Sequence, residues 1–375
     1  MPDPIAVAET GTVCGRRFGS VSLQAPAALN ALSLAMVDRL QAQLASWAAD
    51  PTIVAVVLDG EGEKAFCAGG DLRDLYQSLR DCGNATNPYA REFFSREYRL
   101  DYLIHTYPKP IVCWGNGIVM GGGMGLMAGA SHRVVTEGTR MAMPEIGIGL
   151  FPDVGGSWFL NRLPPRIGLF LALTGAPLNA ADALFVGLAD FLLPNASRAG
   201  VLQAMAQASW HDRALENARL LTHLLEAQAG PGTPVSAAAL PSHLRQHFDE
   251  IQSLVGHDSL EDLAARLAGA AGGDSWIGKA AANFARGSPT SARLAYELLQ
   301  RARHLSLREV FQMEFDVAVG CCAHHDFAEG IRALLIEKDR RPRWQPARLQ
   351  EVDEALIADH FIARQPGDNP LADLG

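Results

Sequence analysis

The feature that most constrains the fold of this chain is a triple glycine, Gly121 to Gly123, between an apolar strand-like run and a helix of small residues. The run before it reads IVCWGNGIV, and the segment after it reads GLMAGA. Glycine lets backbone N–H groups approach a ligand closely, and a helix N-terminus favours negative charge. The junction therefore predicts an anion-stabilising backbone site or, more simply, a tight turn that needs glycine.

Two isolated acids follow the triple glycine in turn-prone segments. Glu145 lies in MPE and Asp153 lies in FPDVGG, and neither belongs to a charged run. An acid in an apolar segment must be partnered, solvated or functional, because burying an unpaired carboxylate is costly. Next to an oxyanion site these acids indicate acyl chemistry. The simpler alternative is that both acids cap turns or helices.

A strand–loop–helix pattern occurs twice before the chain becomes mainly helical beyond Arg162. The apolar run at 52–60 is typical of a buried parallel strand, and Asp71 is placed to be the N-cap of the following helix. The pattern returns at 110–129, again with glycines at the junction. The repetition predicts an α/β fold of repeated β–β–α units. The composition of 229–242 predicts an exposed loop.

A third acid stands out in the helix predicted over Pro88 to His105. One position of its apolar stripe, repeated at helical spacing, is occupied by Glu97. An acid on a buried helix face is uncommon and costly unless it is paired. Glu97 therefore has a functional role, or it lies at a solvated edge if Phe94 and Tyr98 centre the buried face.

Composition and charge limit the partners of this 375-residue chain. Its net charge of −9 argues against nucleic acid as a general partner. No apolar run reaches the roughly 20 residues that a membrane span requires, and the N-terminus resembles neither a secretory signal nor a transit peptide. Six unevenly spaced cysteines indicate reduced thiols. We therefore expect no membrane association and a cytoplasmic location.

Three further motifs have simpler interpretations. The segment 123–128 fits the GxGxxA pattern of dinucleotide sites, but the matching acid would be Glu145, which lies in a turn-prone segment rather than at the end of a strand. CCAHHD at 321–326 contains metal-binding residue types, yet adjacent donors rarely chelate one ion, so no metal site is expected. KDRRPR at 338–343 indicates a solvated basic turn, with anion binding as the alternative.

Together these segments resemble the crotonase (enoyl-CoA hydratase/isomerase) superfamily. KAFCAGGDL at 64–72 and GNGIVMGGGMGL followed by MPEIGIGLFPDVGG carry the resemblance at the superfamily level. FPDVGG and the late EGIRALLIEKD narrow it to the 3-hydroxyisobutyryl-CoA hydrolase branch, and FFSREY and DFAEGIRALLIEKDRRPRW extend the resemblance along the chain. The resemblance implies a crotonase spiral over residues 1–205, containing the CoA and catalytic sites, and a helical C-terminal region over 206–375.

By position in the motifs, the resemblance implies roles for five residues. The backbone N–H groups of Gly70 and Gly122 would form the oxyanion hole for the thioester carbonyl. Glu145 would be the catalytic acid that hydratases and hydrolases share. Asp153 would be the second acid of the hydrolase, holding the substrate hydroxyl or the water, and Glu97 would be a substrate-binding acid.

The residue that distinguishes the two activities is Gly125. Hydratases carry a glutamate at this position, because syn addition of water uses two opposed carboxylates. Thioester hydrolysis needs an oxyanion hole and one well-placed base or nucleophile. The resemblance therefore implies hydrolysis of a short 3-hydroxyacyl-CoA, foremost 3-hydroxyisobutyryl-CoA, to the hydroxy acid and CoA in valine breakdown. Whether Glu145 acts as base or nucleophile stays open.

The resemblance also implies the other ligands and leaves two alternatives. The adenine end of CoA would lie against the backbone of the loop containing Lys64, Ala65 and Cys67, and no metal or redox cofactor is required. A homo-oligomer is left open. One alternative is an enoyl-CoA hydratase or isomerase with unusual acids. The other is a non-catalytic CoA-binding protein on the same scaffold, against which the intact Glu145 and Asp153 argue.

Overall fold

The computed structural model of the chain describes residues 3–83, 87–229, 240–256, 259–272, 275–364, 367 and 369–375. Most of the loop predicted over 229–242 lies outside the described residues. Among the helices that the structure describes, none has the length and apolar character needed to cross a membrane.

From the third to the eighth strand, successive strands alternate between two sheets. In chain order they are β1 (Ile5–Gly11), β2 (Arg17–Leu23), β3 (Ile53–Gly60), β4 (Ala65–Cys67), β5 (Ile111–Gly115), β6 (Ile118–Met120), β7 (His132–Val135), β8 (Arg140–Ala142), β9 (Leu178–Asn179) and β10 (Phe191–Leu192). One sheet has six strands in the order β1-β2-β3-β5-β7-β10, and the other has four in the order β4-β6-β8-β9. Strands β3, β5 and β7 join the larger sheet, and the strand after each joins the smaller one. This alternation confirms the predicted repeated β–β–α architecture.

Pairing within the larger sheet is parallel except at its start. Strands β1 and β2 form an antiparallel pair, while β2 pairs with β3, β3 with β5, β5 with β7 and β7 with β10 in parallel. Strand β3 is buried along almost its whole length, as its continuous apolar run predicted.

The helices follow the apolar periodicity of the sequence. In chain order they are α1 (Leu34–Ala49), α2 (Leu72–Cys82), α3 (Pro88–His105), α4 (Gly122–Ala128), α5 (Gly156–Leu160), α6 (Ile167–Thr174), α7 (Ala180–Val186), α8 (Arg198–Gln207), α9 (Ala214–Gln228), α10 (His243–Gln246), α11 (Phe248–Leu254), α12 (Leu260–Ala270), α13 (Trp276–Arg286), α14 (Pro289–Arg301), α15 (Leu307–Cys322), α16 (His325–Ile331) and α17 (Glu354–His360). Short 3₁₀ turns occupy Pro26–Ala28, Glu145–Ile148, Asn195–Ser197, Ala302–His304 and Leu349–Glu351, and a π-helical turn occupies Arg332–Ile336. Asp71 is the N-cap of α2, where its side chain accepts a hydrogen bond from the Arg73 N–H, as predicted.

The chain forms two compact units, each built from three segments. The first contains Met1–Gly70, Leu103–Met141 and Leu178–Ser242, and the second contains Asp71–Tyr102, Ala142–Pro177 and His243–Gly375. The strands lie almost wholly in the first unit, whereas the second unit is helical. The predicted limit of the crotonase spiral at residue 205 stays a prediction.

In the first unit, helices α8 and α9 pack against the six-stranded sheet. The buried side chains of this core are Phe18, Val54, Ala55, Val57, Val112, Trp114, Val134, Leu193, Val201, Met205, Ala208, Trp210, Leu221 and Leu225. Each large apolar side chain of this kind contributes roughly 1.5–3 kcal/mol when it is fully buried. This packing covers one face of the six-stranded sheet, whereas the strands that precede Gly70 and Gly122, β4 and β6, belong to the four-stranded sheet.

Candidate active site

In the first unit, the glycine junction lies where β4 and β6 pair in parallel. The register places Ala65 opposite Ile118 and Cys67 opposite Val119. Helix α4 begins directly after β6, so the N–H group of its first residue, Gly122, has no acceptor within the helix.

The segment before Gly70 runs along the start of α4. A Cβ atom built on Gly69 would lie 3.6 Å from the Gly122 nitrogen and 3.3 Å from the Met120 carbonyl oxygen. The structure therefore brings the chain at Gly70 close to Gly122, as the predicted oxyanion hole requires. The assignment of that role to their two N–H groups stays a prediction.

Close approach of two backbones explains the glycine at position 123. A Cβ atom built on Gly123 would lie 2.3 Å from the Cys67 carbonyl oxygen and 2.9 Å from the Cys67 Cβ. No side chain fits at that distance. This glycine of the GxGxxA-like pattern therefore serves contact between α4 and β4.

The segment predicted to hold CoA is anchored within the first unit. The Lys64 carbonyl oxygen accepts a hydrogen bond from the Ile118 N–H at 3.0 Å, and the Ala65 carbonyl oxygen accepts one from Asn30 Nδ2 at 2.9 Å. Ala65 and Cys67 are buried in β4. These contacts fix the backbone of the loop, and the role of Lys64, Ala65 and Cys67 in CoA binding stays a prediction.

In the second unit, the structure brings the three predicted acids together. Glu97 lies in the middle of α3, Glu145 begins a 3₁₀ turn, and Asp153 lies in the loop before α5. Their exposed fractions are 2%, 4% and 5%. The alternative that Glu97 lies at a solvated edge is wrong, because Phe94, Tyr98 and Glu97 are all buried.

Burial and mutual repulsion raise the pKa values of these carboxyl groups. Burial raises the pKa of Glu97 and of Glu145 well above the usual range, and the Asp153 charge raises both further. Burial also raises the pKa of Asp153, to about 6, although a hydrogen bond from Tyr98 opposes the rise. Such displaced pKa values are typical of functional sites.

The hydrogen bonds of Glu145 and Asp153 differ. Tyr98 donates its hydroxyl to Asp153 Oδ2 at 2.7 Å. Glu145 Oε2 is buried and has no hydrogen-bond partner among the described residues. A buried acceptor of this kind is costly unless a water or a ligand occupies the site. Between Glu145 and Asp153, Glu145 is therefore the acid with a buried oxygen left to meet a water or a substrate.

From the sequence, Tyr98 was assigned only to a buried face of the helix, and two further acids of this cluster were not identified. Asp101 is fully buried, neither of its carboxyl oxygens has a partner in the described part of the chain, and burial and Glu97 raise its pKa well above the usual range. The sequence feature that could have identified Asp101 is its position one helical turn after Glu97. Glu314 in α15 is also fully buried, and its flanking apolar residues were the corresponding signal.

The CCAHHD segment does not form a metal site in the part of the chain that the structure describes. No group of three or more His, Cys, Asp or Glu side chains there is arranged to hold an ion. Cys321 and Cys322 end α15, and the His324 side chain hydrogen-bonds the Gly320 carbonyl oxygen at 2.8 Å.

A family model described as enoyl-CoA hydratase/isomerase matches residues 18–361 of this chain. The chain belongs to the enoyl-CoA hydratase/isomerase family. The matched range contains both the glycine junction and the buried acids.

Similar proteins of known name place this family member among hydrolases. The 3-hydroxyisobutyryl-CoA hydrolase, mitochondrial, of Danio rerio is 39% identical to it over 360 residues, which is 95% of this chain and 90% of the relative. The protein of the same name from Homo sapiens is 35% identical over 356 residues, which is 92% of this chain and 86% of the relative.

Similar solved structures of the family bear other names. An enoyl-CoA hydratase from Rhodobacter sphaeroides 2.4.1 has a TM-score of 0.81 and 34% identity, covering 96% of this chain and 97% of that one. A carnitinyl-CoA dehydratase from Mycobacterium thermoresistibile has a TM-score of 0.84 and 36% identity, covering 99% and 98%. Because one fold carries several activity names, the residues of the site must distinguish between them.

Proposed function

We propose that this protein hydrolyses a short 3-hydroxyacyl-CoA thioester, foremost 3-hydroxyisobutyryl-CoA, to the hydroxy acid and CoA. The observation that carries the proposal is the buried carboxyl oxygen of Glu145 without a partner among the described residues, in a chain that has glycine at position 125. One free base or nucleophile suits thioester hydrolysis, whereas hydration uses two opposed carboxylates. The hydrolase name of relatives that match more than nine tenths of the chain supports the same choice.

The proposed reaction breaks the C–S bond of the thioester. In its ionised form, Glu145 takes a proton from water, whose oxygen attacks the carbonyl carbon, or the Glu145 carboxylate attacks that carbon itself and water then hydrolyses the anhydride. In either route the carbonyl oxygen becomes an oxyanion, which the N–H groups of Gly70 and Gly122 are proposed to stabilise. Collapse of the intermediate expels the CoA thiolate, which takes up a proton.

Asp153 is proposed to recognise the substrate's 3-hydroxyl, with positioning of the water as the alternative. The Tyr98 hydroxyl occupies Asp153 Oδ2, and the carboxylate has further acceptor capacity on its other oxygen. Glu97 is proposed to bind substrate in the same cluster of acids.

We expect that the purified protein does not hydrate crotonyl-CoA at an enzymatic rate, because position 125 lacks the second carboxylate. The measurement is loss of enoyl absorbance, with release of thiol from 3-hydroxyisobutyryl-CoA by the same preparation as the positive control. Sustained loss of enoyl absorbance would favour the hydratase alternative over the hydrolase.

Replacing Asp153 with glycine should reduce the preference for 3-hydroxyacyl-CoA over the matching plain acyl-CoA. A buried acid that hydrogen-bonds the 3-hydroxyl is left unpaired by the plain substrate, so the native enzyme should prefer the hydroxylated one strongly. With glycine at position 153, no acid is left to hydrogen-bond the 3-hydroxyl, so the preference for the hydroxylated substrate should fall. Four kcat/KM values, from two substrates and two proteins, give the coupling free energy.

Asp153→Asn is the matched control for this comparison, because it keeps a hydrogen-bonding group of the same shape. It should preserve part of the preference that Asp153→Gly abolishes. If glycine slows both substrates by the same factor, Asp153 positions the water and does not read the hydroxyl.

We further propose that the reaction needs neither a metal ion nor a redox cofactor, because an oxyanion site and one carboxylate suffice for acyl transfer to water. A place in valine breakdown follows from the proposed substrate. The cytoplasmic location and a homo-oligomer stay predictions from the sequence.

A further inference from the structure

The turn that carries Asp153 is held by a glutamate of α15, within the same unit. Glu314 Oε2 accepts a hydrogen bond from the Gly155 N–H at 2.7 Å, and Glu314 Oε1 accepts one from the Ser157 N–H at 2.8 Å. The Ser157 hydroxyl also hydrogen-bonds this carboxyl group. A fully buried side chain thus binds the backbone two and four residues after Asp153.

These contacts favour the ionised form of the Glu314 carboxyl group. Both oxygens face N–H donors, and a protonated carboxyl group would direct its own O–H towards one of them. The donors lower the pKa of Glu314, but burial is the larger effect and raises it to about 8. Asp153, Asp101 and Tyr98 are titratable groups near enough to interact electrostatically with Glu314. The hydrogen bonds of this buried acid therefore serve the backbone of the turn that carries Asp153.

The backbone is strained between Asp153 and the N–H groups that donate to Glu314. Val154 has a φ of 53°, in the left-handed region that β-branched residues seldom adopt. Gly155 follows with a φ of 83°, and a Cβ atom built on it would lie 3.1 Å from the ring of Phe311, one turn before Glu314 in α15. A strained backbone of this kind persists only where its surroundings fix it.

The side chain of Asp153 is fixed separately. Its Oδ2 accepts the Tyr98 hydroxyl at 2.7 Å, and the Tyr98 ring packs against Phe311 at a centroid distance of 5.9 Å. Asp153 is therefore held through its carboxylate by α3, and the backbone that follows it is held by α15.

We propose that Glu314 is a positioning residue, whose carboxylate holds the strained turn at Val154 and so directs Asp153 towards the substrate. The inference rests on the proposed function of Asp153. Glu314 acts through Asp153, so its loss should lower kcat/KM for 3-hydroxyacyl-CoA, through kcat and KM together, and should affect the matching plain acyl-CoA less. A small misplacement of a catalytic group is enough to slow a reaction severely.

The test is a double-mutant cycle between the two acids. Glu314→Gln keeps the size of the side chain, but its amide offers one oxygen where two N–H groups need acceptors. We expect it to lower kcat/KM for 3-hydroxyacyl-CoA about tenfold or more in the native background. In the Asp153→Gly background the same change should have an effect of less than about twofold, because the group that it positions is already absent. Equal losses in both backgrounds would mean a purely structural role and would overturn the proposal.

Glu309→Gln is the matched control. Glu309 lies in the first turn of the same helix, and its carboxylate accepts the Ser306 N–H at 2.8 Å, so the change also removes a charge and a backbone acceptor. It should leave kcat/KM unchanged in both backgrounds. If Glu314→Gln fails to fold, Glu314→Asp replaces it, since the shorter side chain keeps the charge but cannot reach both amides, and the same pattern of effects is expected.

A crystal structure of Glu314→Gln separates this proposal from the proposed function. We expect the Val154 backbone to leave the left-handed region and the Tyr98–Asp153 hydrogen bond to lengthen beyond contact. An unchanged turn would overturn the positioning role even in an active hydrolase. If the native protein releases no CoA from 3-hydroxyacyl-CoA, the proposed function fails, and the geometry of the turn in the variant still decides whether Glu314 holds Asp153.

Discussion

Replacing Glu145 with glutamine should lower kcat for release of CoA from 3-hydroxyisobutyryl-CoA by about 100-fold or more. Glutamine keeps the shape of the side chain, but it can neither take a proton from water nor attack the carbonyl carbon. The affected oxygen, Oε2, has no other hydrogen-bond partner within the described residues. The measurement is thiol release by the purified variant under saturating substrate.

Binding of CoA serves as the control for this variant, because Glu145 is proposed to act on the acyl end. The dissociation constant for CoA should change little. Hydrolysis at a near-normal rate would show that Glu145 is neither the base nor the nucleophile, whichever of the two routes is assumed.

Replacing Gly122 with valine should lower kcat by the equivalent of about 2.7–4 kcal/mol, the typical effect of losing one oxyanion-hole donor. A side chain at the start of α4 would crowd the thioester oxygen and turn the N–H group away from it. Space is limited there, because the chain at Gly69 lies next to the Gly122 nitrogen. The comparison of kcat with the thermal midpoint of unfolding separates a catalytic effect from a loss of stability.

Ala128→Val is the matched control, because it adds the same β-branched side chain at the other end of α4. It should lower stability by a similar amount without a large effect on kcat. If Gly122→Val unfolds outright, the glycine has a packing role only, and the oxyanion hole needs another donor.

Local signals in the sequence were sufficient for several individual elements. The periodicity over Pro88–His105 gave the bounds of α3, and the cap at Asp71 gave the start of α2. The pairing of strands could not be obtained in the same way. IVCWGNGIV is one apolar run in the sequence, yet its two halves, β5 and β6, belong to different sheets, and only contacts with distant strands determine that.

In the candidate site, too, residues with a local sequence signal could be predicted, and residues defined by long-range contacts could not. The isolated acids Glu145 and Asp153 could be found because a carboxylate in an apolar segment needs an explanation. Tyr98 and Glu314 could not be assigned, because their contacts join residues 55 and 159 positions apart. Glu97 was ambiguous because a stripe analysis assumes one buried face, whereas α3 buries several.

Five buried acids of the second unit, Glu97, Asp101, Glu145, Asp153 and Glu314, make folding a reaction that takes up protons. Burial raises the pKa of each, to about 6 for Asp153 and about 8 for Glu314, and well above the usual range for Glu97, Asp101 and Glu145. An unfolded chain would have released these protons above a pH of about 4. A raised folded-state pKa contributes stability at low pH that is lost as the pH rises through it. Near neutral pH the folded chain therefore retains protons that its unfolded form would give to the solvent. Because the unfolded form gains free energy by releasing them, the acids proposed for the chemistry lower the stability of the fold.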